Sequence, residues 1–239
     1  ARVGSCDALP SLLKLVQLSI ADCGLKTLPA AVLSTHTLTS LDVSGNAGID
    51  LNTTNFSRLS KLRRLDISNC GFSALPRGVK SAAVKFLDIS GNRLTDLTDL
   101  VAFGDLGLTI EELRCNHVGW KVLPRGVTEL PRLTSLSLSR NPELRDISGV
   151  GLAPSLTSLE LSDSGYASLP QGIVECAKLQ QLVFAGNPLE SFSSLHQTLP
   201  NLRHLDVSRC SKLGSGLSQT VDLWDDISRL PTLTSLTWT

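Results

Sequence analysis

The sequence predicts a repeat solenoid of stacked short strands, and three observations predict it. The pattern L-x-x-L-x-L-x-x-N-x-x-L, seen at residues 133–144, recurs along nearly the whole chain. Its L-x-L part alternates apolar and polar residues with period two, as a short strand with one buried face does. A third position, eight residues after the first Leu, is occupied by Cys23, Asn46, Cys70, Asn92, Val118, Asn141, Ser164, Asn187 and Cys210. A strand this short cannot bury its own apolar side. Stacked on its neighbours, it forms a continuous core.

The copies begin at Leu15, Leu38, Leu62, Val84, Ile110, Leu133, Leu156, Leu179, Leu202 and Leu233. Steps are 22 to 26 residues until the last, which is 31. The inward triplets run from Leu15/Leu18/Ile20 to Leu233/Leu236/Trp238, with Cys115 and Phe184 closing the fifth and eighth. At the turn that leaves each strand, a buried side chain must satisfy the backbone groups of neighbouring turns. Asn offers a donor and an acceptor for this, and Cys a weak donor. Val118 offers neither, so the fifth repeat is expected to be locally irregular.

These residues resemble the leucine-rich repeat superfamily from Leu15 onward. The resemblance implies an α/β repeat solenoid: a curved right-handed horseshoe with a concave parallel β-sheet and short helical, 3₁₀ or irregular convex segments. It also implies a 1–14 N-terminal cap and a 15–239 solenoid of about ten repeats, the last incomplete. A second period overlies the first. Gly24, Gly71, Gly119 and Gly165 each open a segment that ends in Leu-Pro, at Pro29, Pro76, Pro124 and Pro170, whereas the copies between lack that step. The larger unit is 46 to 48 residues. Its Leu-Pro half resembles the repeats of intracellular Ras-group scaffolds. Pro fixes φ and favours tight entry into a short helix or 3₁₀ turn. The other half has looser crossings, at 50–57 and 96–105. An enlarged crossing, 214–231, carries Trp224, expected to pack over the last repeats. The chain holds no Met and stops directly after a strand, so a processed or excised piece of a longer protein is expected.

Composition narrows the function. Lys plus Arg equals Asp plus Glu at 22 each, which argues against a basic nucleic-acid binder. No run of about 18 apolar residues exists to span a membrane, and the first residues do not read as a signal peptide. No C-x-x-C pair, H-x-x-x-H or phosphate-cradling Gly-rich loop occurs, so no cofactor or metal is expected. His36, His117, His196 and His204 are scattered. The six cysteines read as buried thiols: Cys23, Cys70 and Cys210 at the turn position, Cys115 inward, Cys176 in a crossing and Cys6 in the cap. Cys115 and His117 do not read as a nucleophile pair, because the inward register of Cys115 would have to break.

The exposed strand positions are the candidate binding surface. The residue between the two strand apolars reads Ser19, Asp42, Asp66, Asp88, Arg114, Ser137, Glu160, Val183, Asp206 and Thr237. Ten strands at roughly 4.8 Å span about 43 Å, ample for a protein partner. Asp42, Asp66 and Asp88 should stack as like charges, with Arg63, Arg64 and Lys85 beside them to compensate. The densest group is Arg63, Arg64, Asp66, Lys85, Phe86, Asp88, Glu111, Glu112, Arg114, Asn116 and His117. Phe86 is expected to be exposed there, an aromatic among arginines with the composition of a binding hot spot. A second group is Arg203, His204, Asp206, Arg209 and Trp224. The expected function is a non-enzymatic interaction scaffold: cytoplasmic, monomeric on its own, binding a protein or peptide on the concave face and no nucleic acid. The triplets Asn52-Thr53-Thr54 and Asn55-Phe56-Ser57 keep open an extracellular or cell-surface recognition ectodomain. A third reading is the recruiting module of a larger signalling enzyme.

Overall fold

The computed structural model describes residues 14–95, 97–98, 100–190, 199–213 and 227–239. Residues 1–13 of the expected 1–14 cap, with Cys6, and His196, Trp224 and most of the 214–231 crossing lie outside them. The chain divides into two compact units, Ala1–Val118 with Leu130–Arg132, and Gly119–Glu129 with Leu133–Thr239.

Each unit is a parallel ladder of three-residue strands in chain order. The first holds β1 (Gln17–Ser19), β2 (Ser40–Asp42), β3 (Arg64–Asp66), β4 (Phe86–Asp88) and β5 (Glu112–Arg114). The central leucines Leu18, Leu41, Leu65, Leu87 and Leu113 are in register. The second holds β6 (Ser135–Ser137), β7 (Ser158–Glu160), β8 (Gln181–Val183), β9 (His204–Asp206) and β10 (Ser235–Thr237), registered on Leu136, Leu159, Leu182, Leu205 and Leu236. These central leucines are buried except Leu18 on the first strand and Leu236 on the last, which are half-buried. Stacking therefore buries what one strand cannot.

The turn position behaves as its chemistry demands. Asn92 Nδ2 donates to the carbonyls of Ile67 and Ile89 at 2.9 and 3.0 Å. Its Oδ1 accepts from the amides of Cys70 and Phe72 at 3.2 and 3.0 Å. Asn187 repeats this with the carbonyls of Leu161 and Phe184 and the amides of Ser164 and Tyr166. Asn46 donates to the carbonyls of Ile20 and Val43 and accepts from the amide of Leu25. Where Cys stands instead, the thiol is a weak donor to carbonyls, as Cys70 is to Val43 and Ser68. The irregularity expected at Val118 is not in the turn backbone. The preceding His117 has φ +53°, matching Asp22, Asn69 and Asp163 at the same position.

That preceding position follows the double period in part. It is left-handed in every described copy; side chains (Asp22, Asn69, Asp163) are each followed by glycine (Gly45, Gly91, Gly186), whereas His117 is followed by Arg140. A Cβ on Gly45, Gly91 or Gly186 would collide with the Oδ1 of Asp22, Asn69 or Asp163 respectively. The glycine of one repeat thus leaves room for the carboxylate or amide of the one before. Beyond Gly186, Arg209 reaches back to pair with Asp163 at 3.2 Å.

The crossings are short. The Leu-Pro steps lead into α1 (Arg77–Lys80) after Pro76, α2 (Arg125–Thr128) after Pro124, and 3₁₀ turns at Val32–Ser34 and Gln171–Glu175. The looser crossings also close as 3₁₀ turns, Phe56–Arg58 and the kinked Leu100–Leu108. Cys70, Cys115, Cys176 and Cys210 are buried, and Cys23 is half-buried. Burial pushes the Cys70 and Cys176 thiols up to about 11. One side chain is at odds with its surroundings. Tyr166 packs its ring against Phe184 at 5.7 Å, but its buried hydroxyl has no hydrogen-bond partner among the described residues. Burial pushes that phenol up to about 12. Removing the stranded oxygen should help. Tyr166→Phe is expected to raise the unfolding free energy by about 1 kcal/mol in urea titration; a loss of stability would show that the hydroxyl is satisfied.

Candidate functional site on the first strand ladder

Register dictates which residues share the outer face of the first unit. Ser40, Arg64, Phe86 and Glu112 form one column across β2 to β5, and Asp42, Asp66, Asp88 and Arg114 form the next. Every residue of the dense group lies in this unit, but only some converge. Arg64, Phe86 and Arg114 meet directly. The Arg64 Cζ sits 3.7 Å from the Phe86 ring centroid, and the Arg114 Cζ sits 5.1 Å from it. Phe86 is consequently only 7% exposed, which corrects the expectation of an exposed aromatic. The face presents guanidinium planes, with the ring as the platform beneath them. Such contacts contribute about 0.5–1 kcal/mol at exposed sites and restrict the arginine rotamers.

The ion pairs around this stack are local. Lys85 Nζ meets Glu111 at 2.8 Å, and Arg114 meets Glu112 at 3.2 Å. Arg63 turns back to donate to the carbonyls of Ser60 and Leu62. Asn116 and His117 lie past the end of β5, in its turn, and do not join the stack. Cys115 is fully buried and its thiol is pushed well up by burial, whereas His117 is exposed. The two do not form a pair. Among the described residues, no group of three or more His, Cys, Asp or Glu is placed to hold a metal ion.

The aspartate column stacks in register as expected, but Arg63, Arg64 and Lys85 do not neutralise it. Its carboxylates serve the turns instead. Asp42, Asp66 and Asp88 each accept the amide of the serine two residues on, at 2.9–3.0 Å. Asp206 does the same for Ser208. The recurring D-x-S spelling was the available signal, since Asp bonds readily to the backbone two residues ahead. Burial raises the Asp66 carboxyl, against the lowering effect of the Ser68 bonds, and the charges of Asp88 and Asp42 add to the rise. At Asp42 burial also acts upward, but bonds from Ser44 and Ser19 outweigh it and the net shift is down.

The second unit carries a shallow depression of about 330 Å³ on its strand face. It is lined by Gln181, Val183, His204, Asp206, Ser235 and Thr237 over Leu182 and Leu205. His204 and Asp206 of the second expected group line it; Arg209 instead pairs with Asp163.

A ladder of L-x-L strands, closed at most turns by Asn or Cys, is a leucine-rich repeat architecture. Family models described as Leucine Rich Repeat match residues 61–81 and 35–51. No curated protein matches the sequence. Among solved structures, a leucine-rich repeat protein of Leptospira interrogans is similar over 94% of this chain and 55% of its own, at 20% identity and TM-score 0.65. TLR13, solved in a complex with ssRNA13, is similar over 81% of this chain and 32% of its own, at 20% identity and TM-score 0.63. A chain of the Toll–Spatzle complex of Drosophila is similar over 89% and 31%, at 17% identity and TM-score 0.60. These likenesses establish the fold, and the chain spans about half or less of the length of those structures. The two matched segments carry the leucine-rich repeat pattern, and the fold of the chain is that of leucine-rich repeat proteins.

The raised Asp66 carboxyl has a measurable consequence. A group that holds its proton more tightly folded than unfolded costs stability once the pH exceeds its folded pKa. Asp66→Asn keeps the acceptor for the Ser68 amide and removes the charge. It should stabilise the chain at pH 7 by roughly 0.2–1 kcal/mol, the scale of like charges facing across strands. The gain should fade as the pH falls toward the ordinary carboxyl value of 3.8. A gain that persists unchanged in acid would refute the electrostatic cause.

Proposed function

We propose that the chain is a non-enzymatic interaction scaffold that binds a protein or peptide, rather than a nucleic acid, on the exposed strand face of its first unit. The observation that carries this is the Arg64–Phe86–Arg114 stack. Two guanidinium groups are held in place on one ring before any partner arrives. Preorganised side chains lose less entropy on binding, and arginine is among the residues that dominate interface energetics. The balanced net charge suits a protein partner better than a polyanion.

A cytoplasmic location and a monomeric state in isolation belong to the same proposal. The described cysteines are thiols in turn and core positions, which suits a reducing compartment. The cell-surface reading is favoured by the exposure of Asn52 and Asn55, so glycan on either residue in native material would select it.

Affinity capture from native cells, identified by mass spectrometry, tests the binding face. Arg64→Gln with Arg114→Gln should reduce recovery of the retained partner about tenfold or more while leaving the fold intact. Undiminished recovery, with loss instead on altering the exposed crossing residues Val101 and Leu108, would move the binding site to the crossing side.

A further inference from the structure

The charges on the first strand face that remain unpaired define the chemistry of what fits there. Lys85 and Arg114 are occupied by Glu111 and Glu112, and Arg63 by main-chain carbonyls. Arg64 differs. Its guanidinium makes no hydrogen bond or ion pair among the described residues, and its placed contact is the Phe86 ring, 3.7 Å away. A guanidinium seated over a ring still has edge donors for a planar two-oxygen acceptor.

Two residues along the same strand stands Asp66, and beside it on β4 stands Asp88. Neither carboxylate meets a cation among the described residues. Side chains at i and i+2 of a strand share a face about 7 Å apart, and facing residues on neighbouring strands lie about 4.8 Å apart. The face therefore offers one oriented cation and, one step along, a pair of carboxylates. Its complement is an acid and a base with the same spacing. An extended chain places alternate side chains about 7 Å apart, whereas neighbours on a helix face lie about 5–6 Å apart.

Accepting the strand face of the first unit as the docking surface, we propose that its occupant is an extended segment of a protein partner with an acid-x-base pattern. The Asp or Glu carboxylate seats on Arg64, and the Lys or Arg two residues away seats between Asp66 and Asp88. A carboxylate fits better than a phosphorylated side chain. A phosphate carries up to twice the charge and would sit about 7 Å from two carboxylates that repel it.

Selection of displayed random decapeptides on the full chain tests this. The enriched pool should carry an acidic residue two positions from a basic one. Selection on Arg64→Glu should replace that acid by a base, and Asp66→Asn with Asp88→Asn should abolish the preference for the base. In a synthetic array of the enriched peptides, phosphoserine in place of the acid should bind more weakly. Binders that need Arg64 and Asp88 but lack the pattern, or that prefer phosphoserine, overturn the acid-x-base assignment and leave the strand-face reading standing. Binders indifferent to Arg64→Gln, Arg114→Gln and Asp88→Asn overturn both. A pool not enriched over the input library also overturns the assignment.

Discussion

The buried asparagine at the turn is the constraint on which the rest depends. A three-residue strand must be followed at once by a turn, and its neighbour turns in the same place. Amides and carbonyls therefore accumulate where water cannot reach them, and each left unsatisfied costs about 1–3 kcal/mol. One Asn side chain closes four of these groups, as Asn92 and Asn187 do. With the turns closed, the strands stay in register, and register alone decides which side chains stand together on the outer face.

A second constraint acts one residue earlier. At three pairs of successive repeats, the left-handed turn position carries a side chain in the first and glycine in the second. The side chains are Asp22, Asn69 and Asp163, and their partners are Gly45, Gly91 and Gly186. At these three pairs the double period is a matter of turn packing as well as of the crossings; His117 and Arg140 depart from it. Asp163 and Arg209, two repeats apart, can pair because Gly186 puts no side chain between them.

Most of the fold was legible in the sequence because the repeat multiplies a weak local signal. Strand positions, register columns, the Asn and Cys turns and the Pro-led helices all followed from spacing. The site was legible as a set of residues on one face, since a strand alternates its faces strictly. Its pairings were not. Phe86 reads as exposed from register, yet Arg64 and Arg114 are long enough to fold over it. Arg63 and Lys85 read as counter-ions for the aspartates but found carbonyls and Glu111 nearer. Side chains with many rotamers choose partners by fine geometry, which spacing does not encode. The aspartates stack as like charges, but their D-x-S spelling marks them as turn residues.

The ladder depends on the turn asparagines, and hydrogen exchange at the amides they hold tests that dependence most directly. Asn92→Ala should lower the unfolding free energy by about 3 kcal/mol and strip protection from the Cys70 and Phe72 amides, which Asn92 accepts. The amide of Ile67, bonded instead to the Asp88 carbonyl, should retain more of its protection. If Cys70 and Phe72 stay protected and stability falls by less than about 0.5 kcal/mol, the turn asparagine is not what holds the ladder in register.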